Sequence, residues 1–331
     1  MKKSINITKI DIITRLREYG IQISMLGIFF TIWIAFVLSN PAALLNPYLY
    51  HALLSTTPVA IILAMPLTLV VICGELDLSF PSIMGVSVLV FTIVSLSTGS
   101  WIAALLTALI TGCIIGFLNG ILVAKVGLPS LIATLGALYF WRGVTMVCSG
   151  GWGVPLDFLK GSFLHRILVG RIAGFIPAQS LWMIVFLILF WLILNRHKLG
   201  NHILVTGDNE EVARMMGINV KRTKIIVFII MGFFASMAGL IDALELLNFY
   251  PSIGEAFFLN VLAAVFIGGT SPFGGEGTIL GTFVGGLIVG LLGVGILAVG
   301  LTGFWTQLFF GLIIIVSLVL QVFFRKRIRK G

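Results

Sequence analysis

The feature that most constrains this sequence is a series of apolar stretches, each about 20 residues long, that recurs along nearly its whole length. About 20 consecutive apolar residues are what an α-helix needs to cross the hydrocarbon layer of a bilayer. The stretches lack the strict alternation of membrane β-strands. Only 10% of the 331 residues are charged, which is far below an ordinary soluble domain. The sequence therefore predicts an all-α polytopic membrane protein.

The apolar stretches predict about ten transmembrane helices within a single domain over residues 1–331. The predicted spans are 22–38, 51–73, 80–98, 101–123, 130–148, 179–195, 225–243, 256–270, 276–297 and 304–324. The longer segments outside the bilayer in this arrangement are the N-terminal segment 1–21, the loop 149–178, the segment 196–224 and the basic tail 325–331. The first apolar stretch is too long for a cleaved secretory signal, so we expect an uncleaved first span.

Lysine and arginine fall mostly on one side of the predicted bundle. If both termini are cytoplasmic, 17 of the 21 basic residues are cytoplasmic, six of them in the segment 196–224. Positive residues mark cytoplasmic loops. We therefore predict that both termini and the segment 196–224 are cytoplasmic. The net charge of +9 then reflects membrane orientation, and nucleic-acid binding is not indicated.

The chain lacks the sequence patterns of the common enzyme classes. It contains no GxxxxGK[ST] phosphate loop, no HExxH, no GxSxG and no dinucleotide-binding GxGxxG after a strand. Cys73, Cys113 and Cys148 lie in or at the ends of spans without CxxC spacing, which indicates neither a disulfide framework nor a zinc site. We predict a protein without catalytic residues, a metal site or a cofactor of its own.

The charged stretch "GDNEEVARMMGI" stands out within the segment 196–224. We expect a short helix capped by Asp208, with Glu211 reaching back in a capping box. Glu210 and Arg214 form an i,i+4 pair of opposite charge. A short charged helix of this kind suits a partner's groove, and the alternative is a solvated helix that lies on its own bundle.

The apolar face of this short helix is small. It consists of Val212, Met215 and Met216 beside Ala213, and Gly217 is expected to end the helix. Two flexible thioethers on an exposed helix favour contact with another protein.

Four stretches together carry a family resemblance. "GDNEEVARMMGINVKRTKIIVFIIMGFFASMAGLI" resembles the cytoplasmic coupling segment of bacterial ABC-importer permeases for ribose and related monosaccharides. The other stretches are "GELDLSFPSIMGV" (74–86), "NGILVAKVGLPSLIATLGALYFWRG" (119–143) and "AAVFIGGTSPFGGEGTILGT" (263–282). All four are similar to motifs of that family and follow in the same order.

The resemblance implies a permease subunit of the bacterial inner membrane that imports a small hydroxylated ligand, such as a pentose, a hexose or autoinducer-2. It also implies three partners: ATPase subunits that bind ATP and Mg, a second permease subunit that is identical or homologous, and an extracytoplasmic substrate-binding protein. Nucleoside and branched-chain amino-acid permeases of the same superfamily remain alternatives. An ion-coupled secondary transporter is the alternative of a different class.

The resemblance also assigns a role to residues 208–217, which we call the coupling helix. It implies that this helix docks in a cleft of the ATPase subunit and transmits ATP-driven closure to the bundle. The implied contacts are Asp208, Asn209, Glu210, Glu211, Ala213, Arg214, Met215, Met216 and Gly217. The methionine pair departs from the smaller or polar pair that is commoner in the family, which implies a match to a particular ATPase.

In "GELDLSFPS", Gly74 and Pro81 predict a structural bend, after which Asp77 or Ser79 caps the next helix. Glu75 departs from the glycine of the family, so a substrate role for it is the less favoured interpretation.

Glycine is concentrated in "FIGGTSPFGGEGTILG", which predicts a broken or re-entrant region surrounded by protein. Gly277, Gly281 and Gly285, continued by Gly286 and Gly290, predict close helix packing. Thr270 and Ser271 are candidates for gating or a subunit contact.

Polar side chains within the spans are candidates for lining a transport pathway, although each also suits a hydrogen bond between helices. They are Asn119, Thr134, Tyr139, Asn260 and Gln307. Ionisable groups near the spans mark either an ion path or structural pairs. They are Glu75, Asp77, Arg142, Asp242 and Glu245.

Overall fold

The computed structural model describes residues 20–328, and these are almost entirely helical. Its fourteen α-helices within those residues are α1 (Gly20–Ser39), α2 (Pro41–Leu44), α3 (Pro47–Ile72), α4 (Phe80–Thr98), α5 (Trp101–Ile121), α6 (Ser130–Ser149), α7 (Phe163–Val169), α8 (Ala178–Asn195), α9 (Lys198–Asp208), α10 (Glu210–Met215), α11 (Val220–Leu246), α12 (Phe258–Ile267), α13 (Ile279–Ala298) and α14 (Phe304–Ile328). A π-helical turn, Leu122–Val126, extends α5, and 3-10 turns span Asp157–Leu159 and Glu255–Phe257. The predicted segment 1–21 lies largely outside the described residues, and residues 329–331 of the tail also do.

Each predicted span contains one apolar helix. Seven helices in residues 20–328 are long and apolar enough to cross a bilayer, and α1, α12 and α14 contain shorter apolar stretches. The all-α polytopic fold is therefore confirmed. Some boundaries differ: α3 begins at Pro47 rather than at residue 51 because Asn46 caps it and proline suits its first turn.

Helix α3 lies at the centre of the fold. Every side chain from Thr57 to Ile72 is buried, and the helix packs against α8, α11, α12 and α13. A helix that is apolar on all sides is typical of such a central position. Helix α6, in contrast, has most of its surface exposed, with large apolar side chains such as Phe140 and Val147 pointing outward.

A glycine seam joins α5 to α11. Gly112, Gly116 and Gly120 pack their bare backbones against α11, and a Cβ at Gly116 would lie 2.2 Å from the carbonyl oxygen of Phe228. Small residues at four-residue spacing allow such close approach in membranes. This seam was not predicted, although the four-residue glycine spacing in "GCIIGFLNG" is its signal in the sequence.

The predicted glycine ladder on α13 serves two neighbours. Gly281 and Gly285 pack on α12, whereas Gly286 and Gly290 pack on Ile61 and Thr57 of α3. Gly277 differs from the expectation, because α13 begins only at Ile279, after Thr278 has capped it.

The predicted break in the chain, residues 266–281, follows α12. This helix has ten residues, about 15 Å, or half of the hydrocarbon thickness. Gly269, Gly274 and Gly275 have positive φ angles in the connection to α13. The irregular segment that the glycine content predicted is therefore present, but only the helix before it is short, since α13 has 20 residues.

Two small strand pairs are formed outside the helices. β1 (Val154–Pro155) pairs antiparallel with β4 (Asn248–Phe249), and β2 (Arg171–Ile172) pairs antiparallel with β3 (Ile176–Pro177). The β1–β4 pair ties the long connection between α6 and α8 to the end of α11.

Candidate functional site

The coupling helix begins at a different cap from the one predicted. Asp208 is the last residue of α9, and Asn209 caps α10 by accepting hydrogen bonds from the backbone N–H groups of Glu211 (2.9 Å) and Val212 (3.2 Å). The predicted capping box on Asp208 is therefore wrong. An asparagine side chain at the junction of two helices satisfies the same orphan donors.

The other predicted features of this short helix are present. Arg214 contacts Glu210 at 2.8 Å, and Gly217 ends the helix with a φ of +77°. Met215 and Met216 are 84% and 65% exposed.

Ala213 differs from the other predicted contact residues. It is fully buried in a small cluster with Ile218 and Val220. A partner that docks on this face therefore meets the two methionines and not the alanine.

Lys224 connects the coupling helix to the bend after α3. Its ammonium group forms ion pairs with both Glu75 and Glu210. The side chains of Lys224 and Glu75 are only 12% and 10% exposed. This bridge was not predicted from the sequence, in which the unusual glutamate at position 75 is the available signal.

Three glycine-containing segments meet beside this bridge. The backbone N–H of Gly275 donates to the carbonyl of Ile72 at 2.8 Å. A Cβ at Gly207 would lie 1.7 Å from that same carbonyl oxygen, and one at Gly274 would lie 2.9 Å from the Cα of Gly74. We call this contact of α9, the bend and the 268–278 segment the glycine junction.

The bend itself is held by polar contacts inside the bundle. Asn119 donates to the Ser79 hydroxyl (2.8 Å), and the Thr134 hydroxyl contacts the carbonyl of Leu76 (3.3 Å). Both side chains are buried. The structure therefore places Asn119 and Thr134, two pathway candidates, on the bend.

Asp77 lies at the centre of the bend. Its Oδ1 atom accepts hydrogen bonds from the Ser79 N–H (2.8 Å) and hydroxyl (2.6 Å), while Oδ2 is buried without a partner among the described residues. Burial raises the pKa of Asp77 to about 6, and the two bonds from Ser79 oppose that rise. Ser79 occupies the cap position of α4 without a side-chain capping bond, and Pro81 lies in the first turn of that helix.

We expect the stability of the protein to fall as pH rises from about 4 to about 6, because folded Asp77 keeps a proton that the unfolded chain has already lost. An Asp77→Asn variant keeps an oxygen acceptor at this position and removes the buried charge. Its unfolding temperature in detergent should exceed that of the natural protein at neutral pH and lack this part of the pH slope. An identical slope in both proteins would contradict the assignment.

Arg142 joins three elements at the opposite end of the bend. Its guanidinium donates to the carbonyls of Pro81, Pro251 and Ile253, and its Nε atom lies 3.3 Å from Glu255. These contacts fix α6 to the first turn of α4 and to the segment that leads into α12.

The remaining candidate ionisable groups also have local partners. Asp242 accepts a hydrogen bond from the Tyr250 hydroxyl (3.1 Å), and Glu245 lies 3.6 Å from Arg171. With Glu75 and Arg142 paired as described above, these contacts favour structural pairs over an ion path.

Two open clefts contain the other pathway candidates. The larger, about 550 Å³, lies between α3, α12, α13 and α14 and includes Asn260 and Gln307. The smaller, about 310 Å³, lies beside α6 and includes Tyr139. Thr270 and Ser271 are buried in the segment after α12, away from both clefts.

Comparisons with known proteins give one family. A model of the family described as branched-chain amino acid transport system / permease component matches residues 49–318. The ribose import permease of Escherichia coli strain K12 is 36% identical over 238 residues, 71% of this chain and 74% of that protein. The ribose import permease of Haemophilus influenzae is 30% identical, covering 81% and 83%. The autoinducer 2 import system permease of Yersinia pestis strain Pestoides F is 31% identical, covering 82% and 76%. No solved structure matches the chain.

Proposed function

Because this chain belongs to the permease components of the branched-chain amino acid transport family, we propose that it moves a small hydroxylated ligand, a monosaccharide or autoinducer 2, through an ATP-binding-cassette importer. Family membership makes the chain a multi-pass inner-membrane transport subunit rather than an enzyme. The family description names amino acids, whereas relatives at 30–36% identity are permeases for ribose and autoinducer 2. Those relatives support the hydroxylated ligand.

In this proposal a separate ATPase subunit binds ATP and Mg and docks on the coupling helix. The observation that carries it is the pair Met215 and Met216, the last residue of α10 and the residue after it, which are 84% and 65% exposed. Large apolar side chains on a short polar helix suit a partner's groove. A second permease subunit and an extracytoplasmic binding protein complete the importer.

The coupling helix is connected to the bundle in a way that suits this role. Glu210 on the helix and Glu75 on the bend share Lys224. The glycine junction joins the bend through backbone atoms to α9, which leads directly into the coupling helix. Displacement of the helix by an ATPase therefore acts on the bend and, through it, on the start of α4.

We expect a double Met215→Glu, Met216→Glu variant to lose its ATPase. Two carboxylates without partners in an apolar contact cost about 2 kcal/mol or more, which is about thirtyfold in affinity. The measurement is gentle detergent purification of the chain from its native membrane, followed by identification of the chains that accompany it. A double Met215→Leu, Met216→Leu variant is the matched control and should keep the partner.

An ATP-binding chain that accompanies the natural protein and the leucine control, but not the glutamate variant, is the expected result. An ATPase that stays bound to the glutamate variant would contradict docking at the methionines. If no ATPase accompanies any form, ion-coupled secondary transport becomes the better explanation. Ala213 is unsuitable for this test, because a large residue there disrupts the buried cluster with Ile218 and Val220.

A further inference from the structure

Glu255 is the residue at which the two clefts meet. It lines both the 550 Å³ cleft and the 310 Å³ cleft. It lies in the 3-10 turn immediately before α12, and 58% of its side chain is exposed. Glu255 was not predicted to be a site residue, because a glutamate between two apolar stretches is typical of an ordinary connection.

The ion pair with Arg142 places this carboxylate beside α6. Arg142 lies seven residues before Ser149, the end of α6, which is about 10 Å along the helix. A charge at such depth is costly against lipid, and ionisable groups within spans face the bundle interior or a water-filled cavity. The exposed carboxylate therefore requires water, protein or a polar ligand beside it.

The two partners of this ion pair differ in how fully they are bonded. The Arg142 guanidinium also donates to three backbone carbonyls, and its side chain is only 12% exposed. For the carboxylate of Glu255, the ion pair to Nε of Arg142 is the one polar contact within residues 20–328. An ionised carboxylate accepts several hydrogen bonds, so Glu255 keeps unused acceptor capacity toward the clefts.

The larger cleft, whose lining is mostly apolar, also contains neutral polar groups. They are Thr56, Thr57, Asn260, Thr306 and Gln307. The hydroxyl of Thr57 is buried without a hydrogen-bond partner in the described part of the chain. The cleft volume falls within the usual range for small-molecule sites. These hydroxyls and amides, with the one carboxylate, offer hydrogen-bond donors and acceptors to the hydroxyl groups of a polyol.

We propose that Glu255, together with Thr56, Thr57 and Asn260 of the larger cleft, forms a binding station for a neutral, polyhydroxylated ligand on its way through the bundle. This inference rests on the proposed function and narrows its ligand. The Glu255 carboxylate accepts hydrogen bonds from ligand hydroxyls, and Arg142 positions it. A phosphorylated or carboxylated sugar is repelled by the same carboxylate, since like charges in a low-dielectric site oppose each other.

The test measures access to the cleft without any ATPase. In the full chain with its three cysteines replaced by serine, Gln307→Cys reports on the cleft. Leu308→Cys is the control, because this neighbouring residue on α14 is 56% exposed but does not line the cleft. Both variants are treated in membrane vesicles with a membrane-impermeant maleimide, alone or with D-ribose, D-glucose, D-galactose or D-ribose 5-phosphate.

We expect labelling at position 308 to be the same with and without sugar, and we expect labelling at position 307 to respond. At least one neutral sugar should slow it about threefold at twice its Kd, whereas ribose 5-phosphate should not. Adding Glu255→Gln should leave the labelling at 307 but remove most of the protection. Absence of labelling at 307, protection by none of the neutral sugars, or protection that Glu255→Gln leaves intact would each overturn the station. Loss of the ATPase in the co-purification experiment is independent of these outcomes, so the two proposals fail separately.

Discussion

Gly116→Ala is expected to destabilise the protein by about 1–3 kcal/mol, because the new methyl group overlaps backbone atoms across the seam between α5 and α11. Its Cβ would lie 2.2 Å from the carbonyl oxygen of Phe228 and 3.1 Å from the Cα of Ile229. Neither contact can be relieved by turning a side chain, so the two helices must separate. The measurement is the unfolding temperature of the purified chain in detergent.

Gly136→Ala on α6 is the matched control. A Cβ there meets nothing within 4 Å. Alanine is the better helix former by about 1 kcal/mol, so this substitution should be neutral or stabilising. The two variants carry the same chemical change and differ only in the surroundings. Similar shifts of the unfolding temperature would show that the seam is not close-packed.

Lys224→Met is expected to destabilise the chain by about 3 kcal/mol, because it leaves the buried carboxylate of Glu75 without its partner. We choose the lower end of the range for buried pairs because Glu210, the other partner, is 39% exposed. The unfolding temperature in detergent is again the measurement. Lys221→Met on the same helix is the control, since Lys221 is exposed and should tolerate the change.

The double variant Glu75→Gln, Lys224→Met separates charge from packing. If the ion pair dominates, removing both charges should recover much of the stability that the single change loses. If Lys224 contributes mainly through its aliphatic stem, the double variant will be no more stable than Lys224→Met alone, and the bridge between bend and coupling helix has little energetic weight.

Hydropathy was sufficient to predict the spans, because a membrane leaves few other options for long apolar stretches. The irregular segment between α12 and α13 was also predictable, since its many glycines suit irregular backbone better than a helix exposed to lipid. The seam between α5 and α11 was not predicted. Gly112 and Gly116 permit close packing only because they face α11, and hydropathy carries no information about which helices are neighbours.

The candidate site was predicted less completely than the fold. Exposed Met215 and Met216 follow from the amphipathic pattern, but the direction of Ala213 depends on tertiary packing against Ile218 and Val220. Lys224 and Glu75 are far apart in sequence, so no local rule could pair them. Among the polar residues of the spans, residue type alone could not tell a structural role from a place in a cleft. Asn119 holds the bend, whereas Asn260 lines the larger cleft.

The glycine junction has a consequence for how this chain can change over generations. A side chain at Gly207, Gly274 or Gly275 would collide with the backbone of another segment. We therefore expect glycine to be kept at these three positions. Met215 and Met216 are largely exposed, so packing within the chain restricts the residue type at these positions much less. Under the proposed docking of an ATPase, mutations of the two methionines can change the choice of partner while the backbone contacts behind them stay fixed, so that partner specificity and force transmission diverge independently.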